Sequence, residues 1–482
     1  MIEICRIGHG ACAPSPPSGG EGRGEGAPPR VVAEVAPTAL QRPPLRPSSS
    51  CCSASVGATC ASASEQLADR PPHPNPLPLK GERERRRRAF GLAVILLLLC
   101  ASPASAQDPP RQTLTIGYVE IAGDPRYEPI RGADRIVLKA RAHPYAGAEV
   151  SVDDAAPLRR VLPVDFALAR ISVGSAEEVA PVVLQAIERR DIHFFLIDAP
   201  ASAFAPLAAT VRGRDALLFN VSAPEDSLRR ELCAAEVVHT FPSLAMSMDA
   251  LVQYLVARNW RDVIVLEGPL AADAAAAAAF ERSAKKFGAR VVAHQHFRPG
   301  TDPRQRDQNN PTLLTAMNRD YDAVFVADDA FDFARQLPYR TQRPRPVVGG
   351  IDLEPVAWHW TWEHNGAPQV QARFAARTAG RHMASADWAA WIAVKMIVQA
   401  ALRTRSTDFR TQRDFVLAGA FDGDKGLAVS VRAWDHQLRQ AMLLASPFAV
   451  VATAPVEGAL HRTNELDTLG DDAPESPCRL DK

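Results

Sequence analysis

The sequence predicts an α/β protein with two Rossmann-like lobes, each built on a parallel β-sheet, joined by a hinge. Two observations lead to this prediction. Short apolar runs alternate with helical patterns along residues 114–221, and a second series of the same kind follows along residues 237–326. Strands that alternate with helices need crossover connections, which place the strands in parallel sheets with helices on both faces. A stretch rich in proline and arginine, residues 338–346, is read as a loop or hinge.

The segment ahead of this alternation has the pattern of a secretory signal. Four arginines at positions 85–88 precede an apolar run at 89–99, and an Ala-Ser-Ala sequence ends at Ala106. A basic start, a short apolar run and an A-x-A site are the three parts of a signal peptide. We therefore assign residues 81–106 to a signal peptide, with cleavage after Ala106 and export to the periplasm. The apolar run is too short to span a bilayer well, which takes about 20 residues.

Residues 1–80 are not expected to build a core. They are rich in proline and glycine, and two stretches resemble translated bacterial intergenic repeats. Such a composition buries too little apolar surface to fold. We interpret this segment as upstream sequence included by a start assigned too early. A genuine disordered leader is the alternative.

Charge and cysteine content limit the function of the remaining chain. The whole chain has a formal net charge of +0, but residues 107–482 hold 43 basic and 47 acidic groups. This mildly acidic balance argues against nucleic-acid binding. The same residues contain two cysteines, Cys233 and Cys478. An isolated pair in an oxidising compartment is a candidate disulfide, and two separate thiols are the alternative.

The first series of elements lies between residues 114 and 221. The apolar patterns predict strands at 114–119, 166–173, 192–197 and 216–221. Helices are predicted to begin at residues 147 and 175 and to cover residues 203–211. Ser175 with Glu178 has the spacing of a capping box at a helix start.

The second series begins with a helical pattern that ends near Asn259. The sequence then predicts elements in this order: a strand at 263–266, an alanine-rich helix at 271–286 ended by Gly288, a strand at 291–296, a loop at 302–310, a short helix at 312–317, and strands at 323–326 and 347–350. A strong helix at 385–401, a helix ending at 415–420, and late strands at 427–431 and 441–453 complete the pattern.

These elements divide the chain into regions. Lobe 1 is expected at 107–235, with a return of part of 385–420. Lobe 2 is expected at 236–384, with part of 421–455. A polar C-terminal tail follows at 456–482.

Three carboxylates follow strands of the two predicted sheets: Asp198, Glu267 and Asp328. Open parallel sheets bind ligands at the carboxyl ends of their strands, so these side chains are predicted to contact a ligand. Ser202 and Ser222 also follow strands and are predicted to donate hydrogen bonds to it. For each residue the alternative is a structural role, such as a helix cap or a turn.

Other aromatic and polar residues are considered as a cleft wall or as metal ligands. Trp358, Trp360 and Trp362 would share one face of an extended segment and line a cleft, with core packing as the alternative. Two sets of residues have a faint likeness to metal ligands: His359 with Glu363 and His364, and His294 with His296. Neither has the partners of a known site, so we expect no metal and no cofactor. Residues 107–482 also lack the sequence motifs of hydrolases, phosphate loops, dinucleotide-binding sites and zinc proteases, so the protein is not expected to be an enzyme.

Three stretches resemble the solute-binding component of branched-chain amino-acid-type ABC transporters. They are Gly-Ala-Glu-Val-Ser-Val-Asp-Asp-Ala at 147–155, His-Thr-Phe-Pro-Ser at 239–243, and the strand, helix, glycine and Val-Val pattern at 263–292. The resemblance covers residues 114–454. It implies a type I periplasmic binding fold, a small organic solute held between the lobes, and an inner-membrane ABC permease as partner.

Four further motifs resemble a narrower subfamily, which is associated with pyrroloquinoline-quinone (PQQ)-dependent alcohol dehydrogenase systems. They are Asp-Pro-Arg-Tyr-Glu-Pro at 124–129, Ala-Ser-Ala-Asp-Trp-Ala-Ala-Trp at 384–391, Trp-Asp-His-Gln-Leu-Arg at 434–439 and Asp-Thr-Leu-Gly at 467–470. This resemblance implies that the transporter serves periplasmic alcohol oxidation. A non-transport accessory or sensor protein of that dehydrogenase system is the alternative.

One segment departs from the amino-acid binders. Where that family holds the α-carboxylate with a Ser-x-Ala-Thr-like loop, this chain reads Ser222-Ala-Pro-Glu225. Pro224 has no N–H donor, and Glu225 would repel a carboxylate. Leucine, isoleucine and valine are therefore not the expected ligands.

Overall fold

The computed structural model describes residues 111–131, 136–299, 303–350 and 352–480. The predicted leader and signal peptide lie outside these residues. Within the described part of the chain, no helix is both long and apolar enough to cross a membrane.

The described residues form seventeen strands. In chain order they are β1 Gln112–Ile121, β2 Ile130–Arg131, β3 Val137–Lys139, β4 Val164–Val173, β5 Phe194–Asp198, β6 Leu217–Asn220, β7 Val237–His239, β8 Asp262–Glu267, β9 Arg290–His296, β10 Ala323–Ala327, β11 Val347–Val348, β12 Glu354–Val356, β13 Ala420–Asp422, β14 Ala428–Val431, β15 Leu438–Arg439, β16 Met442–Ser446 and β17 Ala449–Ala454.

Nine α-helices connect or cover these strands in the described residues. They are α1 Tyr145–Ala155, α2 Val179–Arg190, α3 Ala201–Val211, α4 Leu244–Ala257, α5 Ala271–Phe287, α6 Pro311–Leu314, α7 Ala367–Arg377, α8 Ser385–Thr404 and α9 Phe409–Ala418.

Two parallel sheets organise the molecule. The first has the strand order β4-β1-β5-β6-β7 and the second has the order β11-β10-β8-β9. Their central strands, such as β5 and β10, are buried along their whole length, as expected for parallel strands covered on both faces. The predicted α/β class with two parallel sheets is confirmed. The exact lobe boundaries stay a prediction.

The first sheet lies between two layers of helices. Helices α2 and α3 pack on one face with Val119, Phe195 and Ile197. The opposite face, with Ile116 and Leu196, contacts α8 through a cluster of aromatic and aliphatic side chains. Helix α8 thus returns from late in the chain to complete an early sheet.

Helices α1 and α8 pack at very close range. A Cβ atom added at Gly147 on α1 would lie 2.0 Å from the backbone oxygen of Asp387 on α8. Only glycine lets the two backbones approach this closely. The helix begins at Tyr145, two residues before the predicted start, and Gly147 in its first turn allows this close packing.

The late strands tie the two sheets together. Gln437, which precedes β15, donates to the backbone oxygen of His239 at the end of β7 at 2.9 Å. Gln440 donates to the oxygen of Thr240 at 3.0 Å. The buried Nζ of Lys425 lies 2.9 and 2.8 Å from the backbone oxygens of Ala357 and Ala441 and 2.8 Å from Oε1 of Gln440. These contacts fix the segments that cross between the sheets.

The structure corrects two of the sequence predictions and confirms a third. Residues 237–239 form the last strand of the first sheet, where the sequence pattern indicated only a passage into a helix. Ser175 makes no capping hydrogen bond, although Glu178 accepts one from Gly174. Gly288 ends α5 in the left-handed conformation, with φ of 77°, as predicted.

The predicted tryptophan face does not form. A turn at residues 360–361 interrupts the segment, so the three rings do not alternate along a strand. Trp358 is buried in the core beside α8, Trp362 packs against that core, and Trp360 is exposed. Core packing therefore explains two of the three tryptophans.

Candidate functional site

Asp198 is the centre of a dense polar network at the carboxyl end of β5. Its carboxylate is fully buried and accepts hydrogen bonds on both oxygens. Tyr118 and His143 reach Oδ2 at 3.0 and 2.7 Å. Tyr127 and Arg126 reach Oδ1 at 2.5 and 3.4 Å. A charge at this depth is tolerated because hydrogen bonds replace its hydration.

The Asp-Pro-Arg-Tyr segment after β1 supplies two of these donors. Asp124 accepts the backbone N–H of Arg126 at 2.9 Å and closes a 3₁₀ turn over Pro125–Tyr127. The same carboxylate binds the Arg126 guanidinium at 2.9 and 2.6 Å. The guanidinium is thereby aimed at Ser222, whose hydroxyl oxygen lies 3.1 Å from Nη1. Strand ends from β5 and β6 and the loop after β1 thus meet at one point.

The network keeps Asp198 charged and its tyrosines protonated. Burial acts to raise the pKa of Asp198, but the hydrogen bond from His143 and the charge of Arg126 outweigh it, so the pKa is lowered. Burial, together with the negative charge of Asp198, raises the pKa of Tyr118 and of Tyr127. Both phenols therefore act as donors near neutral pH.

A cavity of about 580 Å³ adjoins the network. Tyr127 and His143 line it together with Arg141, Glu149 and Arg170. This volume lies within the range of about 300–1,000 Å³ that suits small organic ligands. The wall combines aromatic surface with charges of both signs.

The second sheet presents Asp328 and Asp329 at the end of β10. Asp328 is buried, and its Oδ2 accepts the backbone N–H groups of Phe333 and Ala334 at 2.9 and 2.8 Å. Burial raises the pKa of Asp328 despite these bonds. These hydrogen bonds hold the backbone at the start of the 3₁₀ turn Ala334–Gln336, which is a structural role like the alternative predicted for this residue. Asp329 instead projects toward the first sheet.

Arg141 joins the two strand-end regions. Its Nη2 donates to Oδ1 of Asp329 at 2.8 Å, and its Nη1 lies 3.4 Å from the backbone oxygen of Arg126. Arg141 also lines the cavity beside Tyr127. The carboxyl ends of the two sheets therefore face each other across this arginine.

Glu267 lies apart from the Asp198 network. It ends β8 on the same face as Val263 and Val265, which pack against α5. Its carboxylate contacts His294 at 2.8 Å and His296 at 3.5 Å on β9. Within the described residues, these three side chains form a group whose ligand atoms are close enough to hold a metal ion.

The backbone around Glu267 is held by Asp273 on the first turn of α5. Its carboxylate accepts the N–H groups of Leu270 at 3.0 Å and Asp329 at 2.7 Å. A Cβ at Gly268 would lie 2.3 Å from this carboxylate, so the position requires glycine. The ends of β8 and β10 are thereby linked through one side chain.

The five side chains predicted as ligand contacts do not form one group. Asp198 and Ser222 meet through Arg126. Glu267 and Asp328 belong to the second sheet, and Ser202 is exposed on the first turn of α3. Their roles as ligand contacts stay predictions.

Four polar residues of the network were not among the predicted site residues, namely Tyr118, Arg126, Tyr127 and His143. Tyr118 lies inside an apolar strand, so the sequence pattern does not show that its hydroxyl takes part in a polar site. Arg126 and Tyr127 belong to the Asp-Pro-Arg-Tyr stretch. The Asp-Pro pair at its start indicates a turn, and this was the feature of the sequence that could have drawn attention to them.

The backbone of the loop after β6 is hydrogen-bonded to neighbouring residues of the protein. Asn220 donates to the backbone oxygen of Ala223 at 2.8 Å, and Arg229 donates to the oxygens of Ala223 and Glu225 at 2.8 and 3.0 Å. The backbone oxygen of Pro224 accepts from Leu244. These contacts fix the loop and direct the Ser222 hydroxyl toward Arg126.

Taken together, the first-sheet site offers fixed hydrogen-bond donors and a guanidinium around a saturated carboxylate. Both oxygens of Asp198 are already hydrogen-bonded to side chains of the protein. Such an arrangement is suited to orienting a polar solute.

Comparison with known proteins identifies the fold. A sequence model described as "Periplasmic binding protein" matches residues 173–338. No protein with a curated description matches the chain.

Several solved structures are similar in fold. A branched chain amino acid ABC transporter periplasmic ligand-binding protein from Burkholderia xenovorans LB400 is 15% identical with a TM-score of 0.57, over 77% of this chain and 100% of that chain. An ABC transporter substrate-binding protein from Sphaerobacter thermophilus is 16% identical with a TM-score of 0.54, over 69% and 93%. A leucine-, isoleucine-, valine-, threonine-, and alanine-binding protein from Brucella ovis, in its closed conformation, is 12% identical with a TM-score of 0.53, over 72% and 93%. At these identities the likeness concerns the fold, which is the predicted type I periplasmic binding protein fold.

Proposed function

We propose that this protein is the periplasmic solute-binding component of an ABC transporter. It binds a small organic solute between the two sheets, closes by a hinge motion and delivers the solute to an inner-membrane permease. The observation that carries this proposal is the Asp198 network at the carboxyl end of the first sheet, which faces Asp329 of the second sheet through Arg141. Ligands of open parallel sheets bind at this edge.

The charges around the cavity favour a solute with polar oxygens. Arg141 and His143 line the cavity and present N–H groups there, with side chains 26% and 22% exposed, and Arg126 lies in the adjoining Asp198 network. Charged donors form the stronger class of hydrogen bonds with carboxylate and hydroxyl oxygens. We infer a small carboxylic acid or hydroxylated compound rather than a branched-chain amino acid. The replacement of a backbone donor by Pro224 supports the exclusion of a branched-chain amino acid.

We further propose that the transporter serves PQQ-dependent alcohol oxidation. This rests on the resemblance of four motifs to that subfamily. The motif at 124–129 contributes Asp124, Arg126 and Tyr127 to the Asp198 network, which supports a role for the motif in solute binding. Acids and aldehydes produced by alcohol oxidation have the oxygen-rich chemistry that the site favours.

A thermal-shift screen tests solute binding. The protein is screened against short alcohols, aldehydes, carboxylic acids, amino acids and PQQ itself. A solute at 100 times its dissociation constant stabilises the fold by about 2.7 kcal/mol. We expect an acid or a hydroxylated compound to raise the melting temperature of the wild type and of Arg189→Ala, an exposed control on α2. The shift is expected to be lost in Arg126→Ala.

Two results contradict the proposal. One is the absence of a stabilising solute, and the other is a shift that Arg126→Ala retains in full. An uptake assay separates transport from the alternative of an accessory or sensor protein. Deletion of the gene should abolish uptake of the identified solute and leave dehydrogenase activity in extracts unchanged. Loss of dehydrogenase activity with normal uptake would favour the accessory protein.

A further inference from the structure

We propose that Glu267, His294 and His296 form a binding site for a late first-row divalent metal ion, with Zn²⁺ as the expected occupant. The site lies on the outer edge of the second sheet and shares no residue with the Asp198 network. It goes beyond solute binding, and its test does not depend on that function.

Strand geometry brings the three side chains together. His294 and His296 are two residues apart on β9, so they project from the same face. Strand β9 is an edge of its sheet, with β8 as its one neighbour there. The parallel register places Glu267 opposite His296, and Val265 opposite His294. The carboxylate of Glu267 thus reaches both imidazoles, whose rings lie 5.1 Å apart.

The ligand atoms are already close to the spacing that a metal requires. Nε2 of His294 lies 2.8 Å from Oε2 of Glu267, and Nδ1 of His296 lies 3.5 Å from Oε1. One ligand atom from each residue falls within 4.8 Å of the others. Around a tetrahedral Zn²⁺ with bonds of about 2.0–2.2 Å, ligand atoms lie roughly 3.4 Å apart. Small side-chain rotations would therefore complete the geometry.

A fourth residue fixes the orientation of one imidazole. Glu281 on α5 places Oε1 2.8 Å from Nδ1 of His294. A carboxylate on this nitrogen holds its proton there and leaves Nε2 free to bind a metal. This carboxylate–histidine pairing is the usual support of a metal-binding histidine.

The ligand set selects the class of metal. Two imidazoles and one carboxylate suit Zn²⁺, Cu²⁺, Ni²⁺ or Co²⁺, whereas Mg²⁺ and Ca²⁺ prefer oxygen ligands alone. Three protein ligands leave one tetrahedral position for water or another group. Glu267 and His296 also line a cavity of about 690 Å³ together with Arg298 and Pro269. The fourth position therefore has room for an exchangeable ligand.

Metal titration of the full chain tests the site. The protein is expressed without a histidine tag, and its free thiols are alkylated so that cysteines do not compete for the ion. We expect about one Zn²⁺ per chain to be bound at this site. Co²⁺ should give the strong visible absorption of a tetrahedral complex. Glu267→Gln and His296→Ala should each weaken binding at least tenfold and abolish this absorption. Glu281→Gln should weaken binding about tenfold, because loss of a carboxylate that orients a metal-binding histidine costs roughly 10–100-fold in metal affinity.

His364→Ala is the matched control, because His364 is exposed and lies outside the cluster. It should bind the metal as the wild type does. Circular dichroism checks that each variant is folded, and the exposed His296 side chain (69%) makes its loss tolerable. The proposal is overturned by binding that His296→Ala and Glu267→Gln leave unchanged. It is equally overturned if no Co²⁺ absorption appears, or if His364→Ala weakens binding as much as the cluster variants.

Discussion

Arg141 and Asp329 are 188 positions apart in the chain, yet the guanidinium of one donates to the carboxylate of the other at 2.8 Å. Arg141 precedes α1 beside the first sheet, and Asp329 follows β10 of the second. The pair therefore spans the space in which we propose that the solute binds. Both side chains are partly exposed, at 26% and 48%.

Removal of this pair should favour separation of the two sheets. An exposed ion pair contributes about 0–1 kcal/mol, so Arg141→Ala should raise the open population up to about fivefold. Small-angle X-ray scattering of the solute-free protein should report a larger radius of gyration. Arg410→Ala removes a comparable exposed pair with Asp215, which lies beside the first sheet alone. An equal increase in the radius of gyration of the control would contradict the proposal that the Arg141–Asp329 pair holds the two sheets together.

Asp198→Asn should lower both solute affinity and stability. The variant keeps the side-chain shape but removes the charge from a buried network, which costs about 3–5 kcal/mol when the remaining groups are left uncompensated. The folded-state pKa of Asp198 is lowered, so its stabilisation is present above the unfolded value of about 3.9. It is lost as the pH falls through the folded-state pKa.

Urea unfolding between pH 7 and pH 3 measures this effect. The difference between wild type and Asp198→Asn should stay constant down to about pH 5 and shrink below pH 4. Asp414→Asn, at an exposed position, serves as the control. A difference that does not change with pH would show that the carboxylate charge is not the source of the stabilisation.

Lys425→Met should flatten the pH dependence of stability in the alkaline range. Burial lowers the pKa of Lys425 well below its ordinary value, so the folded state binds fewer protons than the unfolded state. Stability therefore rises with pH until the unfolded lysine also loses its proton near pH 10.4. The slope reaches at most about 1.4 kcal/mol per pH unit.

Guanidinium unfolding from pH 7 to pH 10 tests this prediction. The wild type and the exposed control Lys285→Met should share the rising slope, and Lys425→Met should lack it. Equal slopes in all three proteins would mean that Lys425 titrates normally in the fold.

Loss of the disulfide should destabilise the protein. The structure joins Cys233 to Cys478 with a Cα–Cα distance of 5.8 Å. Removal of a native disulfide typically costs about 2–5 kcal/mol, so Cys233→Ser with Cys478→Ser should lower the melting temperature. A reductant should destabilise the wild type and leave the double variant unchanged.

Mass spectrometry after alkylation, without reductant, gives a direct measurement of the pairing. An unmodified Cys233–Cys478 peptide pair is expected. Alkylation of both residues under these conditions would establish two separate thiols, which was the alternative from the sequence.

The alternation of apolar runs predicted the fold because long buried strands carry their own signal. Residues 194–198 and 323–327 are apolar almost throughout. Continuous apolar runs of this kind indicate strands that are buried on both faces of a parallel sheet. The strand at Val237–His239 gave no such signal. It has three residues, and its pairing with β6 is decided by packing rather than by its own pattern.

The site was predictable only where it touches strand ends. Asp198 and Ser222 follow apolar runs and were found for that reason. Arg126 and His143 lie in irregular segments, which have no periodicity, and they meet Asp198 only after the chain has folded. Glu267 was found as a strand end, but a strand buried on both faces does not reveal the direction of its last side chain. Its histidine partners were visible in the sequence without the carboxylate that joins them.

The disulfide can form only late in the synthesis of the chain, because its two cysteines are far apart in the sequence. Ribosomes add Cys478 only after 245 further codons have been read beyond Cys233. The earlier thiol must therefore remain available, or exchange a temporary partner, until the later one emerges. Any chain that terminates between the two positions leaves Cys233 without its native partner. The native pair therefore forms only in molecules whose synthesis has passed Cys478.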